Sequence, residues 1–144
     1  MARMSRDDAL RFLAEGARTG KLAVTRRDGS PHVMPIWFVL DGDEIVFTTG
    51  RDTIKGKSIR RTGRAAMCAD DERPPFAFVS VSGPATYEDN PPEMLEWATK
   101  IAARYMGDEA EAYGKRNAVE GELLVRLKPE RIRRCRLVTL KGDS

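Results

Sequence analysis

The fold is indicated most clearly by residues 44–67, EIVFTTGRDTIKGKSIRRTGRAAM. The apolar run 45–47 predicts a strand, and this strand ends at the hydroxyl side chains of Thr48 and Thr49. Residues 53–62 then predict a helix. The fourteen residues from 51 to 64 carry one acid and six cations, which are Arg51, Lys55, Lys57, Arg60, Arg61 and Arg64.

This order of hydroxyls, glycine and cations suits an anionic group such as a phosphate. Hydroxyl and backbone N–H groups donate hydrogen bonds to such a group, while a helix N-terminus and lysines supply positive potential. The same residues also fit a solvated helix face that follows an ordinary strand. The stretch therefore predicts either an anion site or a basic surface.

The residues before this stretch predict one helix and two strands. Ser5 and Asp8 have the spacing of a capping box, and apolar residues then recur at helical spacing. Alternating patterns at 21–26 and 32–40 predict two strands, which join the strand described above in an antiparallel meander. Pro35 cannot donate to a ladder, so the second strand is predicted to lie at an edge or to bulge.

The residues after the basic helix predict four more strands and a long helix. The strands are predicted at 65–69, 76–88, 123–129 and 132–140. A bulge or bend is expected at 83–84, where Gly and Pro interrupt the alternation. Asn90 before two prolines predicts the N-cap of the helix, and Gly107 is placed to end it. The polar segment 108–121 predicts at most one further helical turn.

These patterns amount to six or seven short strands with two or three inserted helices. Most connections are too short for parallel crossovers, so the strands are expected to pair antiparallel and to close into a barrel. The predicted fold class is mainly β, a β-barrel with inserted helices. At 144 residues, a single domain over 1–144 is expected.

Charge and cysteine content narrow the class of protein. Lys and Arg exceed Asp and Glu by 25 − 22 = 3, and cations concentrate at 51–64 and 126–136. Such clusters attract phosphates, polyanionic ligands or nucleic acid, but 51–64 lacks the interleaved aromatic residues that base stacking needs, which argues against nucleic acid. Cys68 and Cys135 fit neither a disulfide framework nor a zinc site. With no signal peptide and no apolar run of membrane length, a soluble cytoplasmic protein is predicted.

The side chains offer little catalytic chemistry of their own. His32 is the only histidine, no nucleophile accompanies it, and no cluster has the spacing of a metal site. Neither GxGxxG nor GxxxxGK[ST] is present, so the sequence has no Rossmann or P-loop nucleotide motif. If the chain is an enzyme, we expect the reactive group to belong to a cofactor. No catalytic residue and no metal ligand is assigned.

A family resemblance rests on the order of the elements and on four segments. The segments are PHVMPIWFV at 31–39, DGDEIVFTTGRDTIKGKSI at 41–59, RRTGRAAMCADD at 60–71 and KPERI at 128–132. Taken in order, they resemble the split β-barrel flavoproteins of the pyridoxamine 5'-phosphate oxidase type. The resemblance runs from about residue 13 to residue 140, and it implies a split β-barrel of that type.

In that family two subunits pair, and two equivalent cofactor sites lie in grooves at the interface, so the resemblance implies a homodimer. Carried over by position, a backbone segment would line the flavin ring, and its residues are Val33, Met34, Pro35, Ile36 and Trp37. Thr48 and Thr49 would contact the phosphate or ribityl chain, and Lys55 would hold the phosphate. Arg51 and Lys57 would add positive charge.

Two positions depart from the FMN-dependent oxidases of the family. Ile54 stands where an Arg often precedes the lysine, and Phe78, a further implied cofactor contact, stands where a Gln is common. A shorter branch uses the deazaflavin coenzyme F420, whose phosphate continues into an anionic lactyl-oligoglutamate tail. The compact length and the extra cations fit that branch better, because several carboxylates favour a broad basic groove.

The resemblance therefore implies an F420-dependent oxidoreductase that transfers a hydride between the reduced deazaflavin and a conjugated small-molecule acceptor. The alternatives are an FMN-binding oxidoreductase of the same fold and a binding module without turnover. Trp37 is predicted either to form a wall for the ring or to be an ordinary core residue. Trp97 and Tyr105 are expected in core or dimer packing.

Overall fold

A computed structural model describes residues 2–137 of the chain, which form nine strands and four α-helices. The strands are β1 (Ala2–Arg3), β2 (Gly20–Thr25), β3 (Pro31–Ile36), β4 (Val39–Asp41), β5 (Glu44–Gly50), β6 (Arg64–Asp70), β7 (Phe78–Asp89), β8 (Glu122–Leu127) and β9 (Arg131–Arg136). The helices are α1 (Arg6–Ala14), α2 (Ile54–Thr62), α3 (Met94–Met106) and α4 (Ala110–Asn117), with a 3-10 turn at Gly107–Glu109.

All strand pairs of the sheet are antiparallel, and its two halves share β7. One half has the order β3-β2-β6-β7-β9-β1, and the other has the order β7-β8-β5-β4. The result is a curled, mainly β fold with inserted helices, so the predicted fold class is confirmed. The single domain over 1–144 stays a prediction, because residue 1 and residues 138–144 lie outside the described part.

The strand predicted at 32–40 is divided in two, which is a correction. β3 pairs with β2 and β4 pairs with β5, so the chain changes partners at Trp37 and Phe38. The backbone of Phe38 is bonded to α3 instead of to a ladder: its N–H donates to Tyr105 Oη (3.3 Å) and its carbonyl accepts from Arg104 Nη1 (2.8 Å). The short β1 supplies the other unpredicted strand. Pro35 lies on β3, which is the edge strand that its missing N–H predicts.

β7 crosses between the two halves of the sheet at 83–84, where the sequence predicts a bulge or bend. The ladder with β6 runs without interruption from Arg64 opposite Pro84 to Asp70 opposite Phe78, so β7 has no inserted residue there, and the irregularity takes the form of a change of partner from β6 to β8 after Pro84. A Cβ atom on Gly83 would lie 2.1 Å from the carbonyl oxygen of Lys128. The glycine is therefore needed for close backbone contact at the crossing and not for an inserted residue.

The helices follow the predicted caps except at the start of α3. Ser5 caps α1 by accepting the Asp8 N–H (3.1 Å), and Gly107 ends α3 with a φ of 58°. Asn90 does not cap α3, which begins four residues later at Met94. Its φ is 39° and its N–H donates to the Glu122 carbonyl (2.9 Å), so Asn90 anchors the end of β7 to β8.

The polar segment after α3 is more helical than predicted, because α4 adds eight residues to the 3-10 turn. The last predicted strand, 132–140, is present as β9 up to Arg136, and its end lies outside the described residues. None of the helices in residues 2–137 is long and apolar enough to cross a membrane. The cytoplasmic location stays a prediction.

The main core lies within the curl of the sheet, under α1 and α2. Its largest fully buried side chains include Phe38, Phe47 and Leu13, and Ile59 is the buried anchor of α2. Ile54, the other large apolar residue of α2, is 40% exposed. A smaller cluster around Met94 packs α3 against β5 and β8. The main core contains both Phe47 of β5 and Ile59 of α2, and it therefore fixes the position of α2 relative to the end of β5.

Candidate functional site

A cleft of about 400 Å³ lies where β5 ends and α2 begins. β3, α3, α4 and β8 supply its other walls. Its lining residues are Pro35, Ile36, Trp37, Thr48, Thr49, Gly50, Thr53, Lys55, Ile101, Asn117 and Glu122. We call this the β5–α2 cleft.

The loop between β5 and α2 is held by a small hydroxyl network. Thr53 caps α2: its Oγ1 accepts the Gly56 N–H (3.1 Å) and donates to the Gly50 carbonyl (2.7 Å). Thr49 Oγ1 lies 3.1 Å from Thr53 Oγ1, and Thr49 donates because the Thr53 proton is already used. A Cβ atom on Gly56 would lie 2.1 Å from the Gly50 carbonyl oxygen, so only glycine permits this tight entry into the helix.

No ion pair within residues 2–137 neutralises the positive charge at the start of α2. The first turn of α2 contains no acidic residue. Lys55 makes no side-chain hydrogen bond or ion pair with any residue among 2–137. The N–H groups of Ile54 and Lys55 also lack partners within the helix, as the first N–H groups of any α-helix do. These donors and the helix dipole favour an anion at this point.

Trp37 forms an aromatic wall of the cleft. Its ring stacks on Tyr105 with centroids 5.0 Å apart and an interplanar angle of 6°, and Tyr113 lies tilted at 6.4 Å. Trp37 remains 38% exposed, so it is not a core residue. The Tyr105 hydroxyl donates to the Arg18 carbonyl (2.7 Å), and burial raises the pKa of this phenol above its ordinary value. Tyr105 therefore stays neutral and holds the stacked pair in place.

Arg104 fixes the α3 side of the same wall. Its guanidinium donates to the carbonyls of Gly16 (2.9 Å), Phe38 (2.8 Å) and Leu13 (2.7 Å). It also lies over the Phe38 ring, with Cζ 4.6 Å from the centroid. Partial burial lowers the pKa of Arg104 from its ordinary value. Since its donors are occupied by protein carbonyls, Arg104 positions the backbone beside Trp37 and is not free for a ligand.

Glu122 is the acidic residue of the cleft. It begins β8 directly opposite Gly50, the last residue of β5. Partial burial raises the pKa of its carboxyl group, while a hydrogen bond from Thr48 and the charge of Lys55 act in the opposite direction. The free cleft therefore contains one cation and one carboxylate.

A second and larger cleft, about 670 Å³, lies on the other side of α2. We call it the basic cleft; it is lined by Arg26, Arg27, Asp52, Ile54, Lys57, Arg60, Arg61 and Tyr87. Arg60 donates to the Arg51 carbonyl (3.0 Å) and Arg61 donates to the Thr25 carbonyl, which holds both near the helix. Ile54 lines the basic cleft and Lys55 lines the β5–α2 cleft, so the two clefts flank the same helical turn.

The structure brings together six of the predicted site residues in the β5–α2 cleft, which are Pro35, Ile36, Trp37, Thr48, Thr49 and Lys55. Lys57 lies in the basic cleft. Val33 and Met34 are exposed on the edge strand β3. Arg51 is paired with Asp89 (2.9 Å). Phe78 begins β7 opposite Asp70 and Cys135, and it lines neither cleft.

Sequence reasoning missed part of the cleft, namely Gly50, Thr53, Ile101, Asn117 and Glu122. The signal for Thr53 was present, since a Thr before a helix predicts an N-cap. Glu122 carries no local signal, because only the pairing of β8 with β5 brings it there. Among the described residues, no group of three or more His, Cys, Asp or Glu side chains is placed to bind a metal.

Residues 7–136 match the family model described as pyridoxamine 5'-phosphate oxidase. The chain belongs to this family. No curated protein sequence matches the chain significantly. The family assignment confirms the predicted resemblance at the level of the family.

Solved structures similar to this family member include two at 25% sequence identity. A conserved hypothetical protein from Mycobacterium tuberculosis has a TM-score of 0.81, with 92% of this chain and 85% of that chain covered. An F420 reductase has a TM-score of 0.69, with 85% and 94% covered. An FAD-binding protein from Mycobacterium smegmatis shares the fold, with 21% identity and a TM-score of 0.64. The match covers 94% of this chain and 98% of that chain.

Proposed function

We propose that this family member is an F420-dependent oxidoreductase that works on a conjugated small-molecule acceptor. The observation that carries the proposal is Lys55, which makes no ion pair within residues 2–137 and lines the β5–α2 cleft beside hydroxyls, on a helical turn that the basic cleft flanks on its other side. One cleft offers an aromatic wall and a phosphate-sized positive site. The other offers a run of cations that a single phosphate does not need.

The residues present fit the chemistry of such a cofactor. The donors at the start of α2 suit a phosphate, and Gly56 keeps the loop tight enough for these donors to converge. Trp37 and Ile36 offer apolar contact to a ring system. Lys57 and Arg61 in the basic cleft offer ion pairs to further carboxylates, as on an oligoglutamate tail. The similarity to an F420 reductase supports the same choice.

When bound, F420 supplies the hydride chemistry, and the protein binds and orients the cofactor and excludes water from it. Lys55 and the first-turn N–H groups would hold the phosphate end, which fixes how far the ring reaches towards Trp37. The Trp37–Tyr105 stack would limit the positions of the ring and keep water from one side. No side chain is assigned as a proton donor.

We also propose a homodimer with the cofactor sites at its interface. Val33 is 63% exposed and Met34 is 40% exposed, and both lie on the edge strand beside the β5–α2 cleft. An exposed apolar edge strand invites pairing with a second chain. Light scattering should then give twice the chain mass of 16.1 kDa. A monomer at micromolar concentration would contradict the dimer.

An FMN-dependent oxidoreductase is the second candidate, because the β5–α2 cleft alone could serve a single phosphate. Nucleic acid is a weaker partner, since Tyr87 is the sole aromatic residue that lines the basic cleft of the described chain. F420 has an anionic oligoglutamate tail beyond its phosphate and FMN has none. Binding of F420 should therefore depend on the basic cleft, whereas binding of FMN should not.

A titration distinguishes them. Apo protein is titrated separately with F420 and with FMN, and binding is followed by fluorescence quenching. We expect micromolar binding of F420, with FMN bound more weakly. Added salt should weaken F420 binding more steeply than FMN binding, because the tail carries more charges. Tight FMN binding without F420 binding would replace the first proposal by the second.

A further inference from the structure

Glu122 presents a problem for a cleft that binds an anion. Its carboxylate lines the same cleft as Lys55, and a bare phosphate or sulfate placed there would be repelled by it. A site evolved only to hold an anion gains nothing from this acid. The carboxylate must therefore be explained either by the fold or by another part of the ligand.

Few contacts within the fold stabilise the charged side chain of Glu122 at this position. No cation among residues 2–137 lies within ion-pair distance of its carboxylate. Its side-chain partner is Thr48, which donates a hydrogen bond to it. Partial burial acts against its charged form. An ionised carboxylate has about four acceptor positions, so most of those of Glu122 have no partner among residues 2–137.

We propose that Glu122 accepts a hydrogen bond from a hydroxyl or N–H group of the ligand, so that the β5–α2 cleft selects polyol phosphates over bare anions. Lys55 would bind the charged group, and Glu122 would bind a donor on the chain that carries it. This inference rests on the proposed function, and it adds a binding residue and a selection rule to that site.

The arrangement discriminates between ligands because Lys55 favours an anionic group, whereas Glu122 favours a hydrogen-bond donor. A ligand with a donor and a phosphate satisfies both, since a hydrogen bond to a charged acceptor is among the stronger ones. A ligand with the phosphate alone leaves the carboxylate unsatisfied and repelled. Selectivity then comes from the penalty on the wrong ligand as much as from contacts with the right one.

The test compares wild type, Glu122→Gln and the matched control Glu120→Gln. Glu120 is exposed and lies outside the cleft, so its variant makes the same change in net charge two residues away. Each protein is titrated with F420 and with sulfate, which carries charge but no hydroxyl. Thermal unfolding confirms that each variant is folded.

We expect Glu122→Gln to bind F420 about fivefold more weakly and sulfate about fivefold more tightly, while Glu120→Gln matches wild type. The inference is overturned if Glu122→Gln binds F420 as tightly as the control does, because Glu122 then contributes no selective contact. That result would leave the proposed function standing.

Failure of the proposed function has a different signature. If wild type binds FMN but not F420, the cofactor assignment is wrong. The same comparison of variants, made with FMN and sulfate, then tests whether Glu122 accepts a hydrogen bond from the ligand. If wild type binds neither cofactor, both the proposed function and the inference are overturned.

Discussion

Helices α1 and α2 are a matched pair whose first turns differ in charge, although both have basic residues in the last turn. Both have nine residues, and both begin with a hydroxyl cap that accepts the N–H three residues later, from Ser5 in α1 and from Thr53 in α2. At the second helical position, α1 has Asp7 and α2 has Lys55. α1 has acids in its first turn and Arg11 in its last, which is the charge order that the helix dipole favours.

The difference indicates which helix is arranged for stability and which for a ligand. A cation in the first turn opposes the helix dipole, so Lys55 weakens α2 slightly, whereas Asp7 strengthens α1. Proteins retain such unfavourable placements where function needs them. The start of α2, where Lys55 has no ion-pair partner within residues 2–137, is therefore the feature that we attribute to anion binding, and α1 serves as its internal control.

The largest expected effect comes from giving α2 the charge of α1. Lys55→Glu should weaken F420 binding by more than about 100-fold, because a favourable contact is replaced by repulsion. Made in a Glu122→Gln background, where no neighbouring carboxylate repels the new acid, the same change should raise the free energy of unfolding by about 0.3–1 kcal/mol, since the acid now faces the helix dipole. Cofactor titration and urea denaturation measure the two effects.

The control for this variant is Asp7→Lys, which gives α1 the charge of α2. It should lower stability by a similar amount of about 0.3–1 kcal/mol and leave F420 affinity unchanged. If Lys55→Glu instead destabilises the protein and binds F420 normally, Lys55 has a structural role and the contrast between the helices is lost.

The two caps give a smaller effect that separates stability from binding. Thr53→Ala and Ser5→Ala should each lower the free energy of unfolding by about 1 kcal/mol, because each removes the acceptor for one first-turn N–H. Thr53 also orders the loop that holds Lys55, so Thr53→Ala should in addition weaken F420 binding by about fivefold. Equal binding by the two variants would show that the cap does not organise the site.

The smallest effect concerns pH and Glu122. Burial raises the folded-state pKa of this carboxyl above its ordinary value of 4.5, so the folded protein binds the proton more tightly than the unfolded chain. Wild-type stability should therefore fall as pH rises from the unfolded pKa through the folded pKa. Glu122→Gln has no carboxyl group at this position, so its stability should not show this decrease with rising pH.

Urea denaturation at about pH 4 and about pH 8 checks this dependence. Glu122→Gln should be the more stable protein at the higher pH, and its advantage should shrink at the lower pH. An advantage that grows as pH falls would contradict the raised pKa.

Local patterns were sufficient for the parts of the site that are close in sequence. The end of β5 and the cation of α2 lie within 48–55, and each has a short-range signal in hydroxyl, glycine or charge. The cap Thr53 has a signal of the same kind, although the predicted site did not include it. The edge position of β3 was likewise predictable from Pro35, because one missing donor excludes a central strand. The family resemblance supplied Trp37.

The remainder depended on contacts between distant segments. Glu122 reaches the cleft through the β8–β5 ladder, and no pattern within β8 shows which strand it pairs with. The break at Phe38 exists because Arg104 and Tyr105 bind its backbone from α3, 66 and 67 residues away. Asn90 has cap chemistry but serves a strand end, since the same residue type also favours positive φ.

The most direct test compares the F420 affinity of Lys55→Ala with that of Lys57→Ala. Both variants lose one positive charge from the same helical turn, but Lys55 lines the β5–α2 cleft and Lys57 lines the basic cleft. We predict that Lys55→Ala weakens binding by about 1.5–3 kcal/mol, the range for a hydrogen bond to a charged group. Lys57→Ala should cost no more than about 1 kcal/mol, as exposed ion pairs do. Equal losses, or a larger loss for Lys57→Ala, would contradict the assignment of the phosphate site to Lys55.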